Sequence, residues 1–228
     1  MTRLWLACLW CGAALAAAKG FPAEDETLRY AVKATGGVSI GTVTFVAQRV
    51  KGTQATWNFQ LLSDFSLPGV PVRDRFRSLS AGFCSAEFEK DWVHLNRKGG
   101  EFVVFYPDRR RAVRTTRNGG SSEMAVPPCA RDALTMLYAV RAELAKDKLP
   151  AASPVVFGAQ YQVQLNQTGS QKVRVGGKEQ KGDRVAGSYR GPKSGGTFEL
   201  VFARDEARTP LLMRVPLAAV TLTLELQP

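Results

Sequence analysis

Several groups of residues in this sequence are of types that do chemistry, and their spacing decides which uses are open to them. His94 is the only histidine. It alternates with Trp92 and Asn96 on one extended face, with no second imidazole for a zinc site. No G-x-S-x-G motif supplies a nucleophile for it to activate. Glu87, Glu89 and Asp91 repeat at period two, so in a strand their carboxylates share a face. A carboxylate pair can serve glycoside hydrolysis, but neighbours along one strand are ordinarily solvated charge. Gly176-Gly177-Lys178 lacks the Walker spacing and reads as a hairpin turn. The expectation is a protein that is not an enzyme, with no catalytic residue, no metal site and no cofactor.

Binding chemistry is better represented. Arg141 falls inside the apolar arc of a helical segment, between Leu137 and Leu134, with Tyr138 one turn away. A guanidinium there must meet a carboxylate or several carbonyls, because an unpaired buried charge is very costly. It is either an internal tie, a snorkelling side chain or an anion ligand at the mouth of a cavity. Arg73, Arg75 and Arg77 alternate and share one face if extended. With Arg109, Arg110, Arg111, Arg114 and Arg117 they would form one basic face if the strands adjoin. Arginine forks suit phosphate and carboxylate. Arg141, Tyr138, Arg73, Arg75 and Arg77 are therefore the candidate ligand-binding residues.

The elements that must position these groups are mostly strands. The exception is Asp132–Lys146, DALTMLYAVRAELAK, where Leu134, Leu137, Met136, Val140 and Leu144 recur at helical period. The helix is expected at about residues 130–146, with Pro127-Pro128 before it, Asp132 in its first turn and Pro150 beyond its end. Before it, 27–35, 38–50 and 53–62 alternate as strands separated by Gly36-Gly37 and Lys51-Gly52. The apolar phase changes near Gly41, which predicts a bulge. Strands follow at 72–78, 83–97 and 101–106, with a hairpin turn at Gly99-Gly100 and a loop at 118–122. After the helix, strands at 155–157, 160–166, 172–175, 184–189, 197–204, 211–215 and 220–226 are separated by Gly169, Gly182 and other Gly or Pro positions. This spacing points to an antiparallel sheet, sandwich or barrel.

Residues 1–18 read as a cleaved signal peptide. Arg3 begins it, Leu4–Ala18 is an apolar run, and Ala16-Ala17-Ala18 suits cleavage before Lys19. The run is shorter than the roughly 20 residues of a membrane span, and no later stretch is long enough. Residues 19–228 then make one β-rich domain with one helix, periplasmic or otherwise exported. The net charge of +11 suits an anionic envelope component such as lipid; export argues against nucleic acid. Cys84 and Cys129 remain after the leader is removed, and an even count in an oxidising compartment is best read as a disulfide. Two buried thiols or a redox pair are the alternatives, although no C-x-x-C remains. Oligomeric state is not written in the sequence.

Glu26-Thr-Leu28-Arg-Tyr30-Ala-Val32, followed by Gly36-Gly37-Val38 and Gly41, resembles the opening of the bacterial domain-of-unknown-function family 3108. Asp132-Ala-Leu134-Thr135-Met-Leu137-Tyr138-Ala-Val-Arg141 is similar to that family's Asp-x-Leu-Ser-x-x-Tyr-x-x-Arg helix, as are Thr209-Pro210 and the closing strand. Asp25 stands where Gly is usual, and Thr135 where Ser is common. The resemblance implies an exported envelope protein of a family without an assigned function: mainly β, a curved antiparallel sheet or open half-barrel wrapped around one helix, similar to periplasmic lipoprotein carriers. It implies no enzyme activity. The expected function is non-enzymatic binding of an apolar or amphipathic ligand with an anionic head between sheet and helix. The alternative is a protein-interaction module in envelope assembly.

Overall fold

The computed structural model describes residues 25–53, 55–67, 69–192, 194–217 and 220–228; the expected signal peptide lies outside them. Strands β1 (Glu26–Lys33), β2 (Ser39–Arg49), β3 (Thr56–Leu67), β4 (Val70–Ala81), β5 (Cys84–His94), β6 (Arg97–Tyr106), β7 (Arg111–Thr116) and β8 (Ser121–Ala125) form a meander. A short β9 (Arg131–Asp132) leads into α1 (Ala133–Leu144). The chain then runs through β10 (Ser153–Phe157), β11 (Ala159–Val175), β12 (Lys178–Arg190), β13 (Gly195–Ala203), β14 (Pro210–Pro216) and β15 (Thr221–Leu226). All these strands lie in one sheet of order β8-β7-β6-β5-β4-β3-β2-β1-β15-β14-β13-β12-β11-β10-β9. The expected curved antiparallel sheet around one helix is the observed fold. Among the described strands only β9 and β10 pair in parallel.

Alternation explains which face goes inward. Tyr30 and Val32, Val43, Phe45 and Ala47, and Trp57 and Phe59 sit at every second position and are buried in a common core with α1. Curvature comes with breaks in register between Val32 and Lys33, Leu79 and Ser80, and Val201 and Phe202. Such bulges bend and twist a strand locally. The first lies at Gly41, where the phase change predicts it: φ is +148°, and a Cβ would overlap the β3 backbone. The sheet curls until its β9 end meets β5. Ser85 N donates to Ala130 O at 2.9 Å, and Arg131 Nε donates to Phe83 O at 3.0 Å. Cys84 and Cys129 form a disulfide at this junction, with Cα atoms 4.8 Å apart. Closing a loop with a sequence separation of 45 residues restricts the unfolded chain by about 4 kcal/mol in the entropy model. Cys84→Ala is accordingly expected to lower Tm in oxidising buffer and to change little in reducing buffer. Equal shifts in both would contradict the bridge.

Several glycines expected in turns lie inside strands. Gly99 and Gly100 belong to β6; the β5–β6 turn is at Leu95-Asn96, with Leu95 at φ +54°. A Cβ on Gly99 would overlap the Trp92 indole, and one on Gly100 the Asp91 carboxylate and the Arg117 side chain. Glycine is there for close approach of side chains from neighbouring strands. Gly169, at φ +109°, marks a bulge within the long β11, and Gly182 lies within β12 against the Phe202 backbone. The far half of β11 brings Val173 and Val175 into a second, smaller core with Val201, Leu211 and Leu212. Strand β8, part of which was expected as loop, carries no alternation to reveal it because almost all its residues are exposed.

Candidate functional site

The antiparallel order sorts the ends of the strands. The β1–β2, β3–β4, β5–β6, β7–β8, β10–β11, β12–β13 and β14–β15 turns cluster at one end of the curved sheet. The residues α1 engages, Glu26, Phe59, Ser78, Ser85 and Ala207, belong to the other half. The concavity therefore has a helix half and a turn half.

The helix half is filled. Asp132 caps α1: its Oδ1 accepts from Leu134 N at 2.8 Å and Thr135 N at 3.0 Å, satisfying two donors that a helix start leaves open. Its Oδ2 meets the hydroxyls of Ser78 at 2.5 Å, Ser85 at 2.6 Å and Thr135 at 3.0 Å. Ser78 and Thr135 also lie 2.8 Å apart, and Ser85 Oγ accepts from Asp132 N at 2.8 Å. All three hydroxyls thus converge on one carboxyl oxygen. Burial pushes this carboxyl above its ordinary range, against the hydrogen bonds from Ser78, Ser85 and Thr135. The sequence reading placed Asp132 in the first helical turn and missed its role as hub, because Ser78 and Ser85 lie far away in the chain.

One helical turn further along, Tyr138 stacks on Phe59, with centroids 4.1 Å apart. Arg141 is fully buried. It donates to both oxygens of Glu26, at 2.7 and 2.9 Å, and through Nε to Ala207 O at 3.0 Å. Burial alone would lower the Arg141 pKa; the Glu26 hydrogen bonds and charge more than offset it and hold the guanidinium above its ordinary value. Of the three uses open to Arg141, the geometry is that of an internal tie. Its donors are turned onto the chain, and neither it nor Tyr138 faces an open cavity.

The other candidate ligand residues lie elsewhere. Arg73, Arg75 and Arg77 share a face, as alternation requires, but it is the outer face of β4. Arg73 lies 3.5 Å from Asp64, and Arg77 lies 3.5 Å from Glu89. They adjoin two shallow hollows, one of about 400 Å³ bordered by Arg73, Arg75, Lys98 and Arg117, the other of about 210 Å³ with Arg77, Leu79 and Phe102. The single basic face expected from the two arginine groups does not form. Strands β5 and β6 separate β4 from β7; Arg114 turns inward to Glu101, and Arg117 crosses Gly100 to Asp91 at 2.5 Å. His94 Nε2 is 2.8 Å from Asp74 Oδ1, beside Trp92. Among the described residues no His, Cys, Asp and Glu set is grouped for a metal ion.

The turn half of the concavity is less filled. Phe65, Phe76, Trp92, Phe157, Tyr189 and Phe198 lie at inward positions there, yet remain only half-buried. Phe157 meets Phe76 edge-on at 5.4 Å. Lys90 projects from the inner face of β5, its ammonium 4.2 Å from the Phe157 ring centroid and 5.6 Å from that of Phe76. Among the described residues no carboxylate lies within 4 Å of it. The sequence reading missed Lys90. Its period-two placement with Phe88 and Trp92 put a cation on an aromatic face, which was the available signal.

The architecture is thus that of a β-barrel-like protein with one half of its interior plugged by its own helix. The chain belongs to the family described as "Protein of unknown function (DUF3108)", whose model matches residues 29–227. Among solved structures it is similar to a β-barrel-like protein of the domain of unknown function DUF1849 from Brucella abortus. That match has a TM-score of 0.57 at 8% identity and covers 88% of this chain and 94% of the other. A second match is the hypothetical lipoprotein YmcC from Escherichia coli (K12), with TM-score 0.34 and 10% identity, covering 92% and 88% of the two chains. No curated protein matches at a significant level.

Proposed function

We propose that this protein is an exported, non-enzymatic binding protein that holds an apolar or amphipathic ligand in the turn half of its concavity. The reading moves the expected site away from α1, where the chain's own side chains occupy the space. The observation that carries it is the set of inward aromatic residues left half-buried in the turn half, with Lys90 lying against two of them, Phe157 and Phe76. Ligand pockets are typically apolar with a few placed polar groups. Lys90 supplies one cation for an anionic head, already desolvated on one side by the Phe157 ring. The disulfide supports an oxidising, exported setting.

The test uses 1-anilinonaphthalene-8-sulfonate, an apolar anion that fluoresces when desolvated. The native protein is expected to bind it saturably. Lys90→Gln should weaken binding about tenfold, the loss of one charge-assisted contact, and Phe198→Asp should abolish it while Tm shows both variants folded. Unchanged binding in both folded variants would place the dye elsewhere and sink the proposal.

A second reading, an interaction module in envelope assembly, is favoured by β8. It is a terminal strand of the sheet with almost every residue exposed, the kind of edge that accepts another chain's strand. Proline at Glu123 should disrupt a partner complex of that type and leave dye binding intact.

A further inference from the structure

The two ends of the curved sheet differ in where acids occur and in exposed apolar groups. None of the described residues in the connections that make up the turn end is Asp or Glu: residues 34–38, 69, 95–96, 117–120, 158, 191–192, 194, 217 and 220. At the opposite end the flanks and connections of the strands carry Asp25, Asp108, Asp147, Asp205 and Glu206, interspersed with a larger number of Lys and Arg. Three separate turns at the acid-free end each present an aliphatic side chain to solvent: Val38 is 65% exposed, Leu95 51% and Leu217 44%. Single exposed aliphatics are common on any protein. Three at the tips of different turns, all at one end, make a rim. Arg97 and Lys98 beside the β5–β6 turn, and Arg190 beside the β12–β13 turn at the same end, are exposed and have no carboxylate within 4 Å among the described residues. The β14–β15 turn is fastened to the β1–β2 turn by Thr221 N donating to Thr35 Oγ1 at 3.0 Å, and Leu95 N donates to Pro71 O at 3.1 Å. The tips are therefore tied to their neighbours.

We propose that this rim docks on an anionic lipid bilayer, with Val38, Leu95 and Leu217 entering the headgroup layer and Arg97, Lys98 and Arg190 meeting lipid phosphates. The chemistry is that of a peripheral interface, apolar tips combined with cations. No helix among the described residues is long and apolar enough to cross a membrane, and docking requires none. The apolar tips set the orientation, because cations such as Arg109, Arg110 and Lys148 accompany the acids at the far end. This goes beyond the ligand reading, because the rim lies outside the aromatic cluster and does not depend on it. Where both hold, the mouth of the ligand site opens toward the bilayer.

The test is co-sedimentation of the disulfide-bonded protein with vesicles of phosphatidylcholine alone, or of equal parts phosphatidylcholine and phosphatidylglycerol. Binding is expected to the mixed vesicles only, and to weaken with salt. Removing one cation near an anionic surface costs about fivefold in partitioning, so Arg97→Glu with Lys98→Glu should lower binding by at least about twentyfivefold. Val38→Ser with Leu95→Ser and Leu217→Ser should lower it about tenfold or more at unchanged net charge. Arg109→Glu with Lys178→Glu, at the other end and with the same charge change, should leave it within about twofold. Equal losses in both charge-reversed pairs would mean attraction by net charge alone and would overturn the proposal, as would the absence of binding to mixed vesicles. Dye binding measured on the same variants separates the two readings. Tip variants that lose vesicles but keep the dye fail only in docking. A native protein that binds vesicles but no dye removes only the ligand site.

Discussion

Asp132→Ala is expected to lower the unfolding free energy by about 3–5 kcal/mol. Loss of a helix cap costs about 1 kcal/mol. The larger part comes from Ser78, Ser85 and Thr135, whose buried hydroxyls lose their shared acceptor, each at a cost of about 1–3 kcal/mol partly offset by mutual pairing. Asp132→Asn should cost less than half as much. Its amide oxygen can cap the helix while its NH2 donates to the serine oxygens. Urea midpoints measure both. The raised carboxyl also sets a pH dependence. The Asp132 carboxyl is raised in the folded protein, so between its unfolded value of about 4 and its folded value the folded state binds the extra proton. Its contribution is fully present below pH about 4 and is lost as pH rises through the folded pKa. The asparagine variant should lack that decline. A steeper decline in the variant, or an alanine variant as stable as the asparagine one, would contradict the arrangement.

Arg141→Met should cost a similar amount, about 3–5 kcal/mol, because it leaves the Glu26 carboxylate largely buried without its cation. The Arg141→Met, Glu26→Leu double variant removes both charges and keeps apolar volume. It is expected to recover at least half of the loss, since well-packed apolar replacements of a buried pair are often neutral. Strictly additive single effects in the double-mutant cycle would show that the two residues do not act as a pair. Far-UV circular dichroism on the same samples reports whether α1 detaches with its tie.

The helix was legible because its apolar residues repeat at 3.6 and prolines frame it. Most strands were legible because one face is buried, and the fold class followed from their spacing. What sequence could not give was the meaning of glycine inside a strand. Gly99-Gly100 looks like a turn, and only the neighbouring strands show that Trp92 and Arg117 occupy the missing side chains' space. Arg141 announced its need for a partner by lying on an apolar arc, but Glu26 is 115 residues away. The arginines of β4 share one face, as their spacing requires, but that face is the outer one, because alternation gives a shared face without saying which face is concave. Lys90 was passed over because its aromatic partner Phe157 comes from another hairpin.

The pairing of β1 with β15 also dictates an order of events. These strands are the first and last of the fifteen, yet they lie side by side in the middle of the sheet. Each half of the meander can zip by short hairpins, but the seam between the halves waits for the final strand. Until then β1 and β14 each offer an open, apolar edge, the kind of edge that pairs with other chains. A chain emerging from its N-terminus therefore cannot complete this sheet early, and the slow step is expected to be the long-range closure of a seam rather than the growth of either half.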